Sequence, residues 1–305
     1  MNNLIKEAIE KNRHLLSNGK LASYIPALND PKKTNHIGVC VVDSNGSIYS
    51  EGDCRVKFTI QSISKVISFI LAIQDNGVDK VFEHVGCEST DDPFDYFIDL
   101  DFKNINKPNN PMINAGALVV TSLIKGNKEE RFNRLLELTR IMANNPNISY
   151  SNEVYLSEKS TGLRNKAMAY LMKSKDILKG DVEDILDTYF KQCSIEIDAV
   201  DLANIGMCIS SGCKGINVDS MSNKEMIKLV KGILFSCGMY DYSARYSIDV
   251  GVPCKSGVGG GIMGILPDNM GIGIYSPPLD EHGNPIAGIG IMKYLSEQMN
   301  WNLFN

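Results

Sequence analysis

The 305 residues hold no Cys-x-x-Cys pair, and their four histidines (14, 36, 84 and 282) fall nowhere near cysteines at ligand spacing. That removes the usual donor patterns of a structural zinc site. The eight cysteines, at 40, 54, 87, 193, 208, 213, 237 and 254, read instead as buried free thiols of a reducing cytoplasm. A basic footprint is also missing: 31 Lys and Arg face 36 Asp and Glu, the pI is near 5.5, and the positive residues are scattered. Nucleic acid and anionic membranes are thereby excluded as partners. No apolar run reaches the ~18 residues of a membrane span. The glycine-rich stretch 256–276 comes nearest and is broken by Pro267 and Asp268. The opening "MNNLIKEAIEKNRHLL" lacks the apolar centre and cleavage site of a secretory signal, and reads as an amphipathic helix. Repeats, low-complexity segments and linker-like composition shifts are absent.

What is present is a core-forming chain, 43% hydrophobic, organised as strands, helices, strands and a last helix. "IGVCVVD", the turn "SNG" and "SIYSEGD" read as strands within 36–60. From 62 to about 240 the pattern is mostly helical, in "ISKVISFILAIQDNG", "AGALVVTSLIKG", "RFNRLLELTRIMANN", "NKAMAYLMKSKDIL" and "VEDILDTYFKQC". "RYSIDVGV", "GGGIMGILP" and "MGIGIYSP" are β-type, "DEHGNP" is a turn, and "AGIGIMKYLSEQMNW" closes as a helix. The expected fold is α+β, one domain over 1–305. Its sheet joins the chain ends (about 1–61 and 240–305), and a helical lobe (about 62–239) is inserted between them.

Two motifs carry chemistry. The chain has four Ser-x-x-Lys spacings: Ser17/Lys20, Ser62/Lys65, Ser122/Lys125 and Ser211/Lys214. Only Ser62/Lys65 follows a strand and opens a hydrophobic helix. There the two side chains share a helix face, the lysine faces inward, and desolvation lets it lose its proton more easily. The helix dipole favours negative charge developing at Ser62. The second motif is Lys255-Ser256-Gly257, which runs into "VGGGIMGI" and is the only K-[ST]-G present. It is the partner of Ser-x-x-Lys in serine β-lactamase and penicillin-binding-protein chemistry. Tyr150-Ser151-Asn152 fits the letters of a third element of that set. Gly259-x-Gly261-x-x-Gly264 matches a dinucleotide fingerprint but opens no helix.

The chain resembles the serine-dependent glutaminases of the β-lactamase-like superfamily, in a compact bacterial-type form. The resemblance covers nearly the whole chain through "GKLASYIPAL" (19–28), "FTIQSISKV" (58–66), "NPMINAGAL" (110–118), "SEKSTGLRN" (157–165), "YFKQCSIEI" (189–197) and "MYDYSARYSIDVGVPCKSGVGGGI" (239–262). It departs from the family pattern at Ala244 and Cys254, which bears on a nearby loop. The resemblance implies a β-lactamase-like fold with an antiparallel sheet. It implies hydrolysis of L-glutamine to L-glutamate and ammonia, with Ser62 as nucleophile and Lys65 as general base. Tyr24 and Tyr240 would stand beside them, sharing protons or closing the pocket. The N–H groups of Ser62 and Val258 would form the oxyanion hole, supported by Lys255, Ser256 and Gly257. Asn114, Glu158, Asn165 and Tyr189 would hold the amino-acid end of the substrate. No metal or organic cofactor is called for, and a cytoplasmic homodimer or homotetramer is implied.

Taken singly, several of these residues read differently. Glu158 looks like an exposed helical glutamate, Asn114 like a helix cap, and the three tyrosines like core residues. A β-lactam hydrolase or transpeptidase on the same scaffold, and a non-catalytic binding protein, are the alternative readings.

Overall fold

The chain opens with α1 (Asn2–Asn12), which turns Ile5, Ala8 and Ile9 inward as its amphipathic pattern requires. The apolar run then forms β1 (Gly38–Val42), and the Ser-Asn-Gly turn returns it as β2 (Ile48–Gly52). This computed structural model describes residues 1–93, 95, 106–212 and 222–305. Cys213 and Lys214 lie outside the described residues.

A short strand, β3 (Phe58–Thr59), leads into α2 (Ser64–Asn76), followed by α3 (Val78–His84). The helical part continues with α4 (Asn114–Leu123), α5 (Lys128–Ala143), α6 (Asn152–Thr161), α7 (Leu163–Ser174) and α8 (Val182–Cys193). Two further short strands, β4 (Ser149–Tyr150) and β5 (Ile195–Ile197), interrupt it. Then come α9 (Ala199–Ser211), α10 (Asn223–Cys237) and α11 (Ser243–Asp249). The chain returns as β6 (Cys254–Gly257), β7 (Gly261–Ile265) and β8 (Gly271–Tyr275), and ends in α12 (Ile286–Met299).

The five-stranded sheet runs β2-β1-β8-β7-β6 with antiparallel pairing throughout, so the two chain ends meet at β1 and β8. Val39 and Val41 face a core shared with α1 and α12, while Cys40 and Val42 face one shared with α9. Burial on both faces explains why β1 is a continuous apolar run rather than an alternating one. Helix α9 lies close on the sheet because β8 offers bare backbone. A Cβ at Gly271 would stand 2.1 Å from Ala203 O, and one at Gly273 2.0 Å from Ala199 O.

Two expectations are corrected. The stretch read as β-type, "RYSIDVGV", is helical over Ser243–Asp249. Ser243, Tyr246, Ser247 and Val250 are its buried positions, a helical spacing, while Ile248 is exposed. The cysteines are also less uniform than expected. Cys40, Cys54, Cys193, Cys237 and Cys254 are buried free thiols, but Cys87 is exposed and Cys208 is disulfide-bonded.

Candidate active site

β3 pairs with β5, which also pairs with β4, giving a small sheet of order β3-β5-β4. Ile60 continues this pairing by donating its N–H to Ile195 O at 2.8 Å. The chain then turns abruptly through one 3₁₀ turn, Gln61–Ile63, into α2. Gln61 sits at φ +49°, a left-handed conformation costly for a residue with a side chain. This corner presents Ser62 at the head of α2, buried and at the positive end of the helix dipole.

Lys65 is completely buried in the first turn of α2. Its Nζ donates to Met112 O at 3.0 Å and to Asn114 Oδ1 at 2.6 Å. Burial lowers its pKa to about 8, against the opposing pull of neighbours that include Glu158. Desolvation is what depresses Lys65, as its inward-facing position in the first turn implies. The like-charge effect is resolved on Lys255, which burial and then Lys65 push well below an ordinary lysine.

Lys255, Ser256 and Gly257 form the buried edge strand β6 beside this corner. A Cβ at Gly257 would stand 2.7 Å from Ile60 O, and one at Gly259 2.3 Å from Thr59 O. Only glycine permits that approach, and Val258 stands between the two glycines. Lys255 Nζ donates to Gly238 O and Ser256 O at 2.9 and 2.8 Å and lies 4.2 Å from the centre of the Tyr240 ring. Tyr240, also left-handed at φ +56°, donates its hydroxyl to Ser256 O at 3.3 Å and hydrogen-bonds Ser62. The immediate partner of the serine hydroxyl is therefore Tyr240, with Lys65 on the next turn.

On the other side, Asn114 links three elements. Its Oδ1 accepts from Lys65 and, at 3.2 Å, from the Tyr189 hydroxyl on α8; its Nδ2 donates to Asn165 Oδ1 on α7 at 2.9 Å. Asn114 is the first residue of α4 and makes no cap bond, so its side chain serves the lysine and not the helix end. Glu158 on α6 is buried, contrary to the exposed reading. Burial raises its pKa to about 7, while a hydrogen bond from Gln61 and the charge of Lys65 lower it. A buried carboxyl with a raised pKa suits a cationic ligand group, whose charge would favour its ionised form.

Tyr24 differs from the other two tyrosines in being 56% exposed. It lies within electrostatic reach of Tyr240 and Glu158. It lines an open cavity of about 490 Å³ together with Asp241, Asp280 and His282. Val258 lines a smaller cleft of about 130 Å³ with Thr59 and Gly259. Leu21 and Ala22 border both spaces, so the segment carrying Tyr24 separates them.

Tyr150-Ser151-Asn152 is not brought into the site. Ser151 caps α6 by accepting from Val154 N, and the Tyr150 ring packs edge-on against Phe132 and Tyr155. Ser64, the other hydroxyl of the corner, accepts from Gln192 Nε2 at 3.4 Å within the core. Gln61 was missed by sequence reasoning. Its Nε2 donates to Thr59 Oγ1 at 3.1 Å and it also bonds Glu158, a role that depends on its left-handed backbone and leaves no sequence signal. Among the described residues no helix is long and apolar enough to cross a membrane, and no acidic, His or Cys group could hold a metal.

An antiparallel sheet joining the chain termini, with a Ser-x-x-Lys helix against a Lys-Ser-Gly edge strand, defines a protein of the β-lactamase-like class. A family model described as Glutaminase matches residues 19–304. The chain is 50% identical to a glutaminase of Clostridium botulinum over 306 residues, all of both chains. It is 48% identical to one of Clostridioides difficile over 303 residues, 99% of this chain and 98% of that one. The crystal structure of a probable glutaminase from Bacillus subtilis covers 99% of this chain and 97% of its own, at TM-score 0.90 and 35% identity. A second Bacillus subtilis structure is a covalent complex with 5-oxo-L-norleucine formed by reaction with 6-diazo-5-oxo-L-norleucine. It matches at TM-score 0.86 and 34% identity, over 99% of each chain. The chain belongs to the glutaminase family and is an amidohydrolase.

Proposed function

We propose that this enzyme hydrolyses L-glutamine in two steps through an ester on Ser62. Neutral Lys65 takes the Ser62 proton, with Tyr240 orienting the hydroxyl. The Ser62 Oγ–carbon bond forms at the side-chain amide, and the oxyanion rests on the N–H groups of Ser62 and Val258. The carbon–nitrogen bond then breaks. Ammonia leaves with the proton held by Lys65, relayed through Tyr240. Water, deprotonated by Lys65, attacks the ester, and glutamate departs as Ser62 regains its proton.

The observation that carries this reading is the lysine. A fully buried Lys65, one turn beyond Ser62 and lowered to about 8 by burial, has a neutral fraction at working pH that an ordinary lysine lacks. The buried carboxyl of Glu158 supports assigning it the substrate ammonium. Asn114, Asn165 and Tyr189 then serve the carboxylate and the carbon chain, and Tyr24 closes the mouth. Lys255, Ser256 and Gly257 hold the edge strand against the serine corner.

Ammonia release tests the reading. Glutamine should be turned over, while glutaramic acid, which lacks the amino group, should lag by up to about 10⁴-fold because Glu158 is left unpaired. Asparagine, one methylene shorter, should be poor, and a β-lactam should be inert. Equal rates on glutamine and glutaramic acid would remove Glu158 from the ammonium site. The cytoplasmic setting and the homodimer or homotetramer implied by the resemblance belong to the same proposal. Sedimentation velocity tests the assembly.

A further inference from the structure

Asn284 sits in the turn between β8 and α12, later in the chain than every residue assigned above, and it is completely buried. Both ends of its side chain are hydrogen-bonded. Oδ1 accepts from Ser256 Oγ at 2.5 Å, and Nδ2 donates to Met239 O at 3.2 Å. Its backbone is locked as well: its N–H donates to Asp280 Oδ1 at 2.8 Å, and its carbonyl accepts from Asp280 N at 2.8 Å.

The two partners flank the serine. Ser256 belongs to β6, and its carbonyl accepts the Tyr240 hydroxyl. Met239 is the residue immediately before Tyr240, whose φ of +56° is held against its intrinsic preference. A strained conformation persists only where its surroundings over-determine it. Here the preceding peptide is pinned by Asn284, and the following one by Ser243 Oγ, which donates to Tyr240 O at 2.6 Å. Asn284 thus ties the peptide that aims Tyr240 to the strand that receives its hydroxyl. An amide is suited to the task because it accepts through Oδ1 on one side and donates through Nδ2 on the other, two roles that a carboxylate or an ammonium cannot combine.

We propose that Asn284 is a positioning residue for the hydrolytic reaction, acting by holding Tyr240 in register with Ser62. The proposal rests on the reading that Tyr240 serves Ser62. The hydrogen bonds of Asn284 go to Ser256, Met239 and Asp280 and to none of the residues assigned to the amino-acid end, so its loss should fall on kcat and spare KM.

The test is a double-mutant cycle in the full-length enzyme, with kcat and KM for glutamine as readouts. Asn284→Ala should lower kcat by about 10- to 100-fold with KM changed less than about threefold. Asn284→Asp has the same shape and keeps the acceptor for Ser256 but loses the donor to Met239 O, and it should lose kcat similarly. In a Tyr240→Phe background, either change should cost less than about threefold more, because the group it positions is gone. If Tyr240→Phe alone keeps full kcat, the reading of Tyr240 fails. If Tyr240→Phe is impaired but Asn284 substitutions lower kcat by the same factor in both backgrounds, only the present inference fails. Full kcat in Asn284→Asp overturns it too. So does failure of both Asn284 variants to fold, which would make the residue a determinant of stability alone.

Discussion

The pH dependence of kcat/KM separates the two buried ionisable groups of the site. Lys65, lowered by burial to about 8, must lose its proton to act, so the active fraction rises with pH through that value. Glu158, raised by burial to about 7, must be ionised to take up an ammonium, so its active fraction also rises with pH. From pH 6 to 8, neutral Lys65 grows about 50-fold and ionised Glu158 about 10-fold, so kcat/KM should climb about 500-fold. Below about pH 7 the log–log slope should approach two. In the substrate complex the ammonium holds Glu158 ionised, so kcat should show a slope of one. Glu158→Gln removes the second ionisation and should reduce the kcat/KM slope to one. It also removes a negative charge that raises Lys65, so the remaining limb should move to lower pH. Steady-state kinetics in a constant-ionic-strength buffer series measure all of this. A kcat/KM slope of one in the wild type, or a limb that moves to higher pH in Glu158→Gln, would refute the assignment of these two groups.

Three further outcomes follow from the geometry. Ser62→Ala should abolish turnover with near-wild-type thermal stability, whereas Ser64→Ala, whose hydroxyl only meets Gln192 and core neighbours, should retain activity; the reverse pattern would exchange the two serines. Lys65→Arg should be inactive at every pH, because a guanidinium stays charged and no pH in the working range would free it as a base. Gly257→Ala places a methyl group 2.7 Å from Ile60 O, forcing β6 away from the serine corner, and should cost at least about 10-fold in kcat; unchanged kinetics would show that β6 does not shape the site.

Much of this was readable from residue order. Burial on both faces makes β1 an apolar run, and the Lys-Ser-Gly strand and the Ser-x-x-Lys helix announce themselves by motif. The small sheet β3-β5-β4 was not legible as a sheet, since its strands are two or three residues long and come from three distant segments. The stretch around α11 was misread because Tyr246, Ile248 and Val250 are β-favouring types, and tertiary burial of one helical face overrode them. Glu158 looked exposed because its burial comes from packing with distant elements, and nothing in "SEKSTG" records that. Gln61 and Asn284 stayed invisible for the same reason: one acts through a left-handed backbone, the other through a turn that returns from the far end of the chain.

The central claim is that Ser62 forms the covalent intermediate. Incubation with 6-diazo-5-oxo-L-norleucine, followed by intact-mass measurement and peptide mapping, tests it most directly. The account predicts one adduct per chain, on the peptide containing Ser62, and none in Ser62→Ala. An adduct on Ser64 or on a cysteine, or labelling of Ser62→Ala at the wild-type rate, would contradict it.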